Sequence, residues 1–196
     1  MEVVILAAGL SQRMGDTNKL LIDVNGEPMI RGAVRLYERL TDRIIVVLGY
    51  QADEVRAALQ GFDLTFVRNA NYTSGQQSSV RAGLEAAALE GEGLVVALGD
   101  QPHLEEQDIA GLFDFFRIRH PDRIIVPWFE GVRGNPIVIP AQIAQRMRND
   151  NRSPACRRFI DANPDLVVRY RAPNDHFTQD IDTPADAAGL ISKHSA

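Results

Sequence analysis

The chain has 196 residues, a length that fits one domain of ordinary size. Its 45% hydrophobic and 24% charged residues exclude a disordered or fibrous protein. With 21 Lys and Arg against 26 Asp and Glu, the net charge of −5 disfavours binding along a nucleic-acid backbone, and the one cysteine excludes an internal disulfide.

The chain also lacks the signals of membrane insertion and secretion. No apolar run approaches the roughly 20 residues that a membrane span needs. The first residues lead directly into an apolar run, without a basic leader and a small-residue cleavage site. We therefore expect a protein of the reducing cytoplasm that binds neither membrane nor nucleic acid.

Short apolar runs alternate with helical patterns along the chain. The runs are rich in β-branched residues and apolar on both faces, which is typical of strands covered by helices on both sides. The predicted strands cover residues 3–6, 44–48, 64–67, 94–98 and 124–126, and the predicted helices cover 29–40, 52–59, 79–89, 109–118 and 184–191. This order predicts an α/β fold: a single-domain, Rossmann-like three-layer αβα architecture with a mostly parallel central sheet, over residues 1–196.

The loop after the first predicted strand combines small residues with two cations. Ligands of open α/β sheets bind beyond the carboxyl ends of the strands. Ala7, Ala8 and Gly9 would let a ligand approach the backbone closely. Arg13 and Lys19, which we expect to be exposed, suit phosphate oxygens. The spacing fits neither a Walker A loop nor a GxGxxG fingerprint, so an ordinary turn with two surface cations is the alternative.

Two later segments also follow predicted strands. Residues 69–83 are dominated by small polar side chains, in which Ser78 or Ser79 would cap the next helix or donate hydrogen bonds to a base or ribose. Asp100, in Gly-Asp-Gln-Pro, ends the fourth strand. A carboxylate there is costly to bury unless it meets a cation, such as Mg²⁺ carrying substrate phosphates. A turn that caps a helix is the alternative.

The acidic pair Asp180 and Asp182 precedes the last predicted helix. Two carboxylates at i and i+2 of an extended segment point the same way, which suits a shared cation. Thr183 and Pro184 are a favourable N-cap and first-turn pair for that helix.

A polar loop and a basic segment follow the fifth predicted strand. The loop of residues 131–136 precedes the apolar run 137–139. Between Arg146 and Arg158 there are five arginines against one acid, Asp150, which predicts a solvated basic helix face or a surface for an anionic substrate. Cys156 within this segment has no neighbouring histidine of a catalytic pair, so we expect it to be structural.

Residues 6–21, Leu-Ala-Ala-Gly-x-Ser-x-Arg-Met-Gly followed by Lys-Leu-Leu, resemble the signature loop of nucleotidyltransferases that activate sugars, isoprenoid precursors and molybdenum cofactor. The motifs Asn-x-x-Tyr-x-x-Gly-x-x-x-Ser-Val, Gly-Asp-x-Pro and Asp-Ile-Asp-Thr-Pro follow in family order, so the resemblance covers about residues 3–191. It is strongest to the molybdenum cofactor nucleotidyltransferases of the nucleotide-diphospho-sugar transferase superfamily.

The resemblance implies roles in nucleotide binding for the first loop. Ala7, Ala8 and Gly9 would contact the nucleotide, and Arg13 and Lys19 would neutralise its phosphates. Relatives that transfer guanylyl groups usually have glycine at the position of Ala8. The additional methyl group would crowd a purine, so the resemblance favours CTP as the donor.

The resemblance also implies a metal site and a base-recognition element. Asp100 and Asp182 would hold Mg²⁺ together with Asp180, with Asp182 ahead of Asp180 as a direct ligand. Gly75 and Ser79 would recognise the base.

The implied reaction is attack of an acceptor phosphate on the α-phosphorus of CTP, with pyrophosphate leaving. The acceptor would be molybdopterin or molybdenum cofactor, with Asn135 on its side of the site, and a molybdoenzyme or its maturation chaperone would be a partner. The alternatives are a GTP-dependent guanylyltransferase, a sugar-phosphate or isoprenoid nucleotidyltransferase, and a non-catalytic protein that binds and delivers nucleotide or cofactor. A pure carrier needs no metal carboxylates, which argues against the last.

Overall fold

The computed structural model describes residues 1–11, 14–15, 17–41, 43–150, 156–183 and 185–187. The strands in these ranges are β1 (Glu2–Ala7), β2 (Asp23–Val24), β3 (Glu27–Pro28), β4 (Arg43–Leu48), β5 (Thr65–Arg68), β6 (Gly93–Leu98), β7 (Ile124–Phe129), β8 (Val132–Arg133), β9 (Ile137–Pro140) and β10 (Val167–Arg171). The α-helices are α1 (Met29–Glu38), α2 (Ala52–Ala58), α3 (Gln76–Ala86), α4 (Glu106–Asp114), α5 (Ala141–Asn149) and α6 (Cys156–Ala162).

The main sheet has the order β10-β7-β9-β6-β1-β4-β5, and β8 pairs with β7 at its side. The central strand β1 is parallel to β4 and β6, and β4 is parallel to β5. Only β9 among the named strands of this path runs antiparallel to both of its neighbours, β6 and β7. The predicted mostly parallel sheet is therefore confirmed, and all five predicted strands are present.

Alternate residues of β1 face two different layers of helices. Val3 and Ile5 belong to an apolar cluster that includes buried residues of α1, α2 and α4. Val4 and Leu6 belong to a second cluster with α3, α5 and α6. Gly83 of α3 packs directly on Val4, where a Cβ would overlap the valine side chain. Both faces of the strand are thus covered, which confirms the three-layer αβα architecture and explains why the strands are apolar on both faces.

Helix α3 begins three residues before its predicted start. Its N-cap is Gly75, whose φ of +98° lies in the region that glycine adopts without strain. Ser78 therefore lies inside the first turn, where its Oγ is 2.8 Å from the carbonyl oxygens of Asn71 and Gly75. The prediction that Ser78 or Ser79 caps this helix is wrong, because the glycine turns the chain earlier.

Elements that lack a continuous apolar run were not predicted. Strand β10 is an edge strand in which apolar and basic residues alternate, and helices α5 and α6 have only narrow buried faces. The predicted helix 184–191 lies outside the described residues except for residues 185–187. Among the helices that the structure describes, none is both long and apolar enough to cross a membrane.

Candidate active site

A cleft of about 530 Å³ opens at the carboxyl ends of β1 and β6. Four segments line it: the end of β1 and the loop up to Ser11, the turn at Lys19 and Leu20, the segment between Tyr72 and Ser79, and the acidic residues 100, 180 and 182. This is the place where open α/β sheets bind their ligands.

Lys19 lies between two carboxylates of this cleft. Its Nζ is 2.5 Å from Asp100 Oδ2 and 2.9 Å from Asp182 Oδ1. The Lys19 side chain is only 14% exposed, so the expectation of an exposed loop cation is wrong. Burial lowers the pKa of Lys19, but the charges and hydrogen bonds of Asp100 and Asp182 outweigh this effect. The net pKa is raised, so the amine stays protonated at neutral pH.

A short 3₁₀ turn, Lys19–Leu21, fixes the backbone of this lysine. Asn18 is buried, and its Oδ1 accepts the N–H of Leu20 at 3.1 Å as a helix cap. The N–H of Lys19 donates to Ser11 Oγ at 3.2 Å, which ties the turn to the loop after β1. The two motifs Leu-Ala-Ala-Gly and Lys-Leu-Leu therefore act as one unit that aims the ammonium group into the cleft.

Three carboxylates converge on the same point. One oxygen each of Asp100, Asp180 and Asp182 lies within 4.8 Å of the others. The N–H of Ile181 donates to the carbonyl oxygen of Asp100 at 3.0 Å and so joins the two acidic segments. Burial raises the pKa of Asp180, and the charges of Asp100 and Asp182 raise it further. Three acids and one lysine leave an excess of negative charge in the cluster, which a divalent cation would offset.

The oxygen atoms of this cluster fit a hard cation. Asp100 Oδ1 is buried and has no hydrogen-bond partner among the described residues. A buried carboxylate oxygen without a partner is costly, and a metal ion would satisfy it. Carboxylate oxygens are the protein ligands that Mg²⁺ prefers, with water and phosphate oxygens completing the shell. The donor set therefore fits the predicted Mg²⁺.

The loop after β1 passes close to β4 at Gly49. A Cβ at Gly49 would lie 2.7 Å from Ala8 Cβ, from the Ala8 carbonyl oxygen and from Tyr72 Cβ. The methyl group of Ala8 thus faces Gly49 and Tyr72, and Ala8 is only 2% exposed although it lines the cleft. Gly9 is exposed, and a Cβ there would meet no atom within 4 Å.

We expect Gly49→Ala to destabilise the protein by about 1–3 kcal/mol, because three contacts at 2.7 Å force the loop or Tyr72 to move. Thermal unfolding measures this effect. Gly32→Ala is the control, since Gly32 is exposed in α1 and its Cβ would meet nothing within 4 Å. The control should be stabilised by up to about 1 kcal/mol through helix propensity. Equal melting temperatures for the two variants would contradict the close approach.

A second cavity of about 350 Å³ adjoins the cleft. The two share the lining residues Leu6, Gln76 and Leu98. Arg133 and Arg157 contribute the cations of the second cavity, and Asn135, Cys156 and Gln77 also line it.

Cys156 is buried at the edge of this second cavity. Burial raises the pKa of its thiol to about 12, against a lowering effect of Arg133. The thiol is therefore neutral at physiological pH, which agrees with the expected structural role.

The predicted site residues fall into five groups. Those of the bridged acidic cluster are Lys19, Asp100, Asp180 and Asp182. Those that line the same cleft are Ala8, Gly9, Gly75 and Ser79. Ala7 is 1% exposed, packs in the first apolar cluster and does not line the cleft, whereas Asn135 lines the second cavity. Arg13 lies outside the described residues, as does Arg152 of the basic segment.

Sequence reasoning did not single out Asn18, Asn69 and Tyr72. Asn18 was detectable, because an asparagine directly before Lys-Leu-Leu is a capping signal. Tyr72 and Asn69 lie in a recognised motif. The role of Tyr72 depends on its approach to Gly49 of a distant segment, and that of Asn69 depends on the orientation of its side-chain amide among Asn71, Ser78 and Ser79, which the sequence pattern does not predict.

The fold and the cleft define an α/β protein of the nucleotide-diphospho-sugar transferase type. A nucleotidyl transferase from Methanothermobacter thermautotrophicus superposes with a TM-score of 0.79 and 21% identity over 98% of both chains, which supports the fold. The family model of the MobA-like NTP transferase domain matches residues 3–167. The chain therefore belongs to the MobA-like NTP transferase family.

Two relatives illustrate the family. A probable molybdenum cofactor guanylyltransferase of Natronomonas pharaonis is 26% identical over 98% of this chain and 90% of its own length. A molybdenum cofactor cytidylyltransferase of Escherichia coli K12 is 29% identical over 95% of this chain and 93% of its own. The predicted resemblance to molybdenum cofactor nucleotidyltransferases is confirmed.

Proposed function

We propose that this nucleotidyltransferase transfers CMP from CTP to the phosphate of molybdopterin or molybdenum cofactor and releases pyrophosphate. The observation that carries the proposal is the position of Lys19 between Asp100 and Asp182 in the cleft at the carboxyl ends of the central strands. A cation and a set of carboxylates side by side suit a triphosphate that arrives with a divalent metal.

Asp100 and Asp182 would hold Mg²⁺, with Asp180 beside them. The metal would supply charge neutralisation for the reacting phosphates. Lys19 would donate hydrogen bonds to the pyrophosphate group as negative charge develops on it, and Arg13, which lies outside the described residues, would supply a second cation. An acceptor phosphate is already a nucleophile, so the chain needs to position it rather than deprotonate it. This agrees with the absence of a histidine from the residues that line the described cleft.

The acceptor would enter through the second cavity. Leu6, Gln76 and Leu98 line both the cleft and the second cavity, so an acceptor bound there would lie next to a nucleotide in the cleft. Arg133 and Arg157 attract an anionic acceptor, and Asn135 offers an amide to its polar ring atoms. We propose that residues 1–196 act as one domain of this kind in the cytoplasm, and that a molybdoenzyme or its maturation chaperone receives the product.

We expect the protein to prefer CTP over GTP. Pyrophosphate release with molybdopterin and CTP, GTP or ATP measures the preference. Because the Ala8 methyl faces Gly49 and Tyr72, we expect Ala8→Gly to change the CTP-to-GTP ratio by about tenfold or less. A wild type that prefers GTP would establish a guanylyltransferase instead. An unchanged ratio in Ala8→Gly would leave the use of CTP intact but remove the steric explanation.

Pyrophosphate release also distinguishes a different acceptor from a non-catalytic role. Turnover with a sugar phosphate or an isoprenoid alcohol phosphate, but not with molybdopterin, would identify a different acceptor. Binding of nucleotide without pyrophosphate release for any acceptor would indicate a delivery protein.

A further inference from the structure

Asn69 is a buried side chain directly after β5 whose amide orientation is fixed by its surroundings. It is 5% exposed. The N–H of Asn71 donates to Asn69 Oδ1 at 2.9 Å, so the oxygen of the amide faces the backbone. The nitrogen, Nδ2, therefore faces helix α3, where it lies 2.8 Å from Ser78 Oγ and 3.0 Å from Ser79 Oγ.

The orientation of the Asn69 amide determines which hydrogen bonds the two serine hydroxyl groups accept and which they can donate. An amide nitrogen only donates, so both serine oxygens accept from Asn69. The hydroxyl group of Ser78 donates its hydrogen bond to the carbonyl oxygen of Asn71 or Gly75, each 2.8 Å away. Ser79 lines the cleft, and its proton has no acceptor among the described residues. The hydroxyl group of Ser79 is thus held as a hydrogen-bond donor toward a ligand in the cleft.

We propose that Asn69 is a specificity-determining positioning residue: it fixes Ser79 as a donor, so the cleft selects a base whose edge presents acceptors. This inference rests on the proposed function. Cytosine presents two adjacent acceptors, O2 and the unprotonated N3. Uracil carries a proton on N3 and guanine carries one on N1, so each places a donor where cytosine has an acceptor. The discrimination therefore falls on N3 of cytosine: a Ser79 hydroxyl that donates there would face the N–H of uracil or guanine, and two donors would then oppose each other, although these bases carry carbonyl acceptors elsewhere.

The decisive variant is Asn69→Asp. The carboxylate still accepts the N–H of Asn71, but it also accepts the proton of Ser79, so the hydroxyl group then offers only lone pairs to the ligand. We expect the Kd of CTP with Mg²⁺, measured by calorimetry without acceptor, to rise about tenfold. The Kd of UTP should change less, so the CTP-over-UTP preference should fall. In turnover, KM for CTP should rise while kcat changes little.

A double-mutant cycle separates this role from a structural one. Ser79→Ala should lower the CTP-over-UTP preference to a similar degree, and Asn69→Asp should add less than about a twofold change in that background. Asn163→Asp is the matched control. Its amide donates to the Phe159 carbonyl oxygen at 2.8 Å, and it lines neither cavity. The control should leave both affinities unchanged.

The outcomes distinguish this inference from the proposed function. A wild type that binds GTP more tightly than CTP contradicts the proposed use of CTP. A wild type that prefers CTP, together with an Asn69→Asp variant of unchanged selectivity or of equally weakened binding to all nucleotides, overturns only the role of Asn69. Should Asn69→Asp not fold, Ser79→Ala decides alone, and an unchanged CTP-over-UTP preference overturns the inference.

Discussion

Replacing Asp100 by Asn is expected to lower kcat by about 10²–10³-fold while the protein stays folded. Asp100 contributes one oxygen to Lys19 and a second, buried oxygen that has no partner among the described residues. The amide of asparagine still accepts from Lys19 but ligates Mg²⁺ poorly, so the loss falls on the metal. Removing one charge-assisted contact to the transition state is worth about 3–4 kcal/mol.

The measurement is pyrophosphate release over a range of Mg²⁺ concentrations, with thermal unfolding of each variant. Asp53→Asn is the control, because Asp53 is 83% exposed and forms a long surface ion pair, 3.8 Å from Arg68, that contributes little to stability. The control should retain its activity and its melting temperature. Turnover near the wild-type level in Asp100→Asn at saturating Mg²⁺ would refute the assignment of Asp100 as a ligand.

The loop after β1 and Asp100 were predictable because each directly follows a predicted strand, whereas Asp180 and Asp182 were found as an acidic pair before the last predicted helix. The carboxyl ends of parallel strands meet at one edge of the sheet, so the loop after β1 and Asp100 after β6 must lie together. The alternation of apolar runs and helical patterns predicted the fold, because strands covered by helices on both faces have continuous apolar sequences that are easily recognised.

Pairings between distant segments were not predictable. The salt bridge from Lys19 to Asp182 joins residues 163 positions apart, and it depends on a hydrogen bond between Ile181 and Asp100 that no periodicity encodes. The role of Asn69 rests on a local contact instead. Its amide oxygen accepts the N–H of Asn71, and the sequence does not reveal this orientation of the amide. Strand β10 escaped prediction because it pairs on one side only among the described strands and alternates in polarity.

Lys19→Met, which removes the charge but keeps much of the side-chain length, is expected to have two effects. The first is a loss of about 10²-fold in kcat/KM for CTP, because the proposed contact of this cation with the leaving group is lost. The second is a loss of about 1–3 kcal/mol in the free energy of unfolding without Mg²⁺. Asp100 and Asp182 would then lack their shared partner while Asp180 still repels both.

Mg²⁺ makes the two effects separable. A divalent cation replaces the missing positive charge among the three carboxylates, so it should raise the melting temperature of Lys19→Met more than that of the wild type. Activity should not recover, because the ion does not supply the hydrogen bonds of the ammonium group.

Arg39→Met is the control, since Arg39 is 62% exposed in a surface pair with Glu106, and this variant should lose less than about 1 kcal/mol in the free energy of unfolding. A Lys19→Met variant that is destabilised but retains its kinetic constants for CTP would show that Lys19 is structural. Equal responses of Lys19→Met and the wild type to Mg²⁺ would show instead that the metal does not bind at the carboxylates that Lys19 bridges.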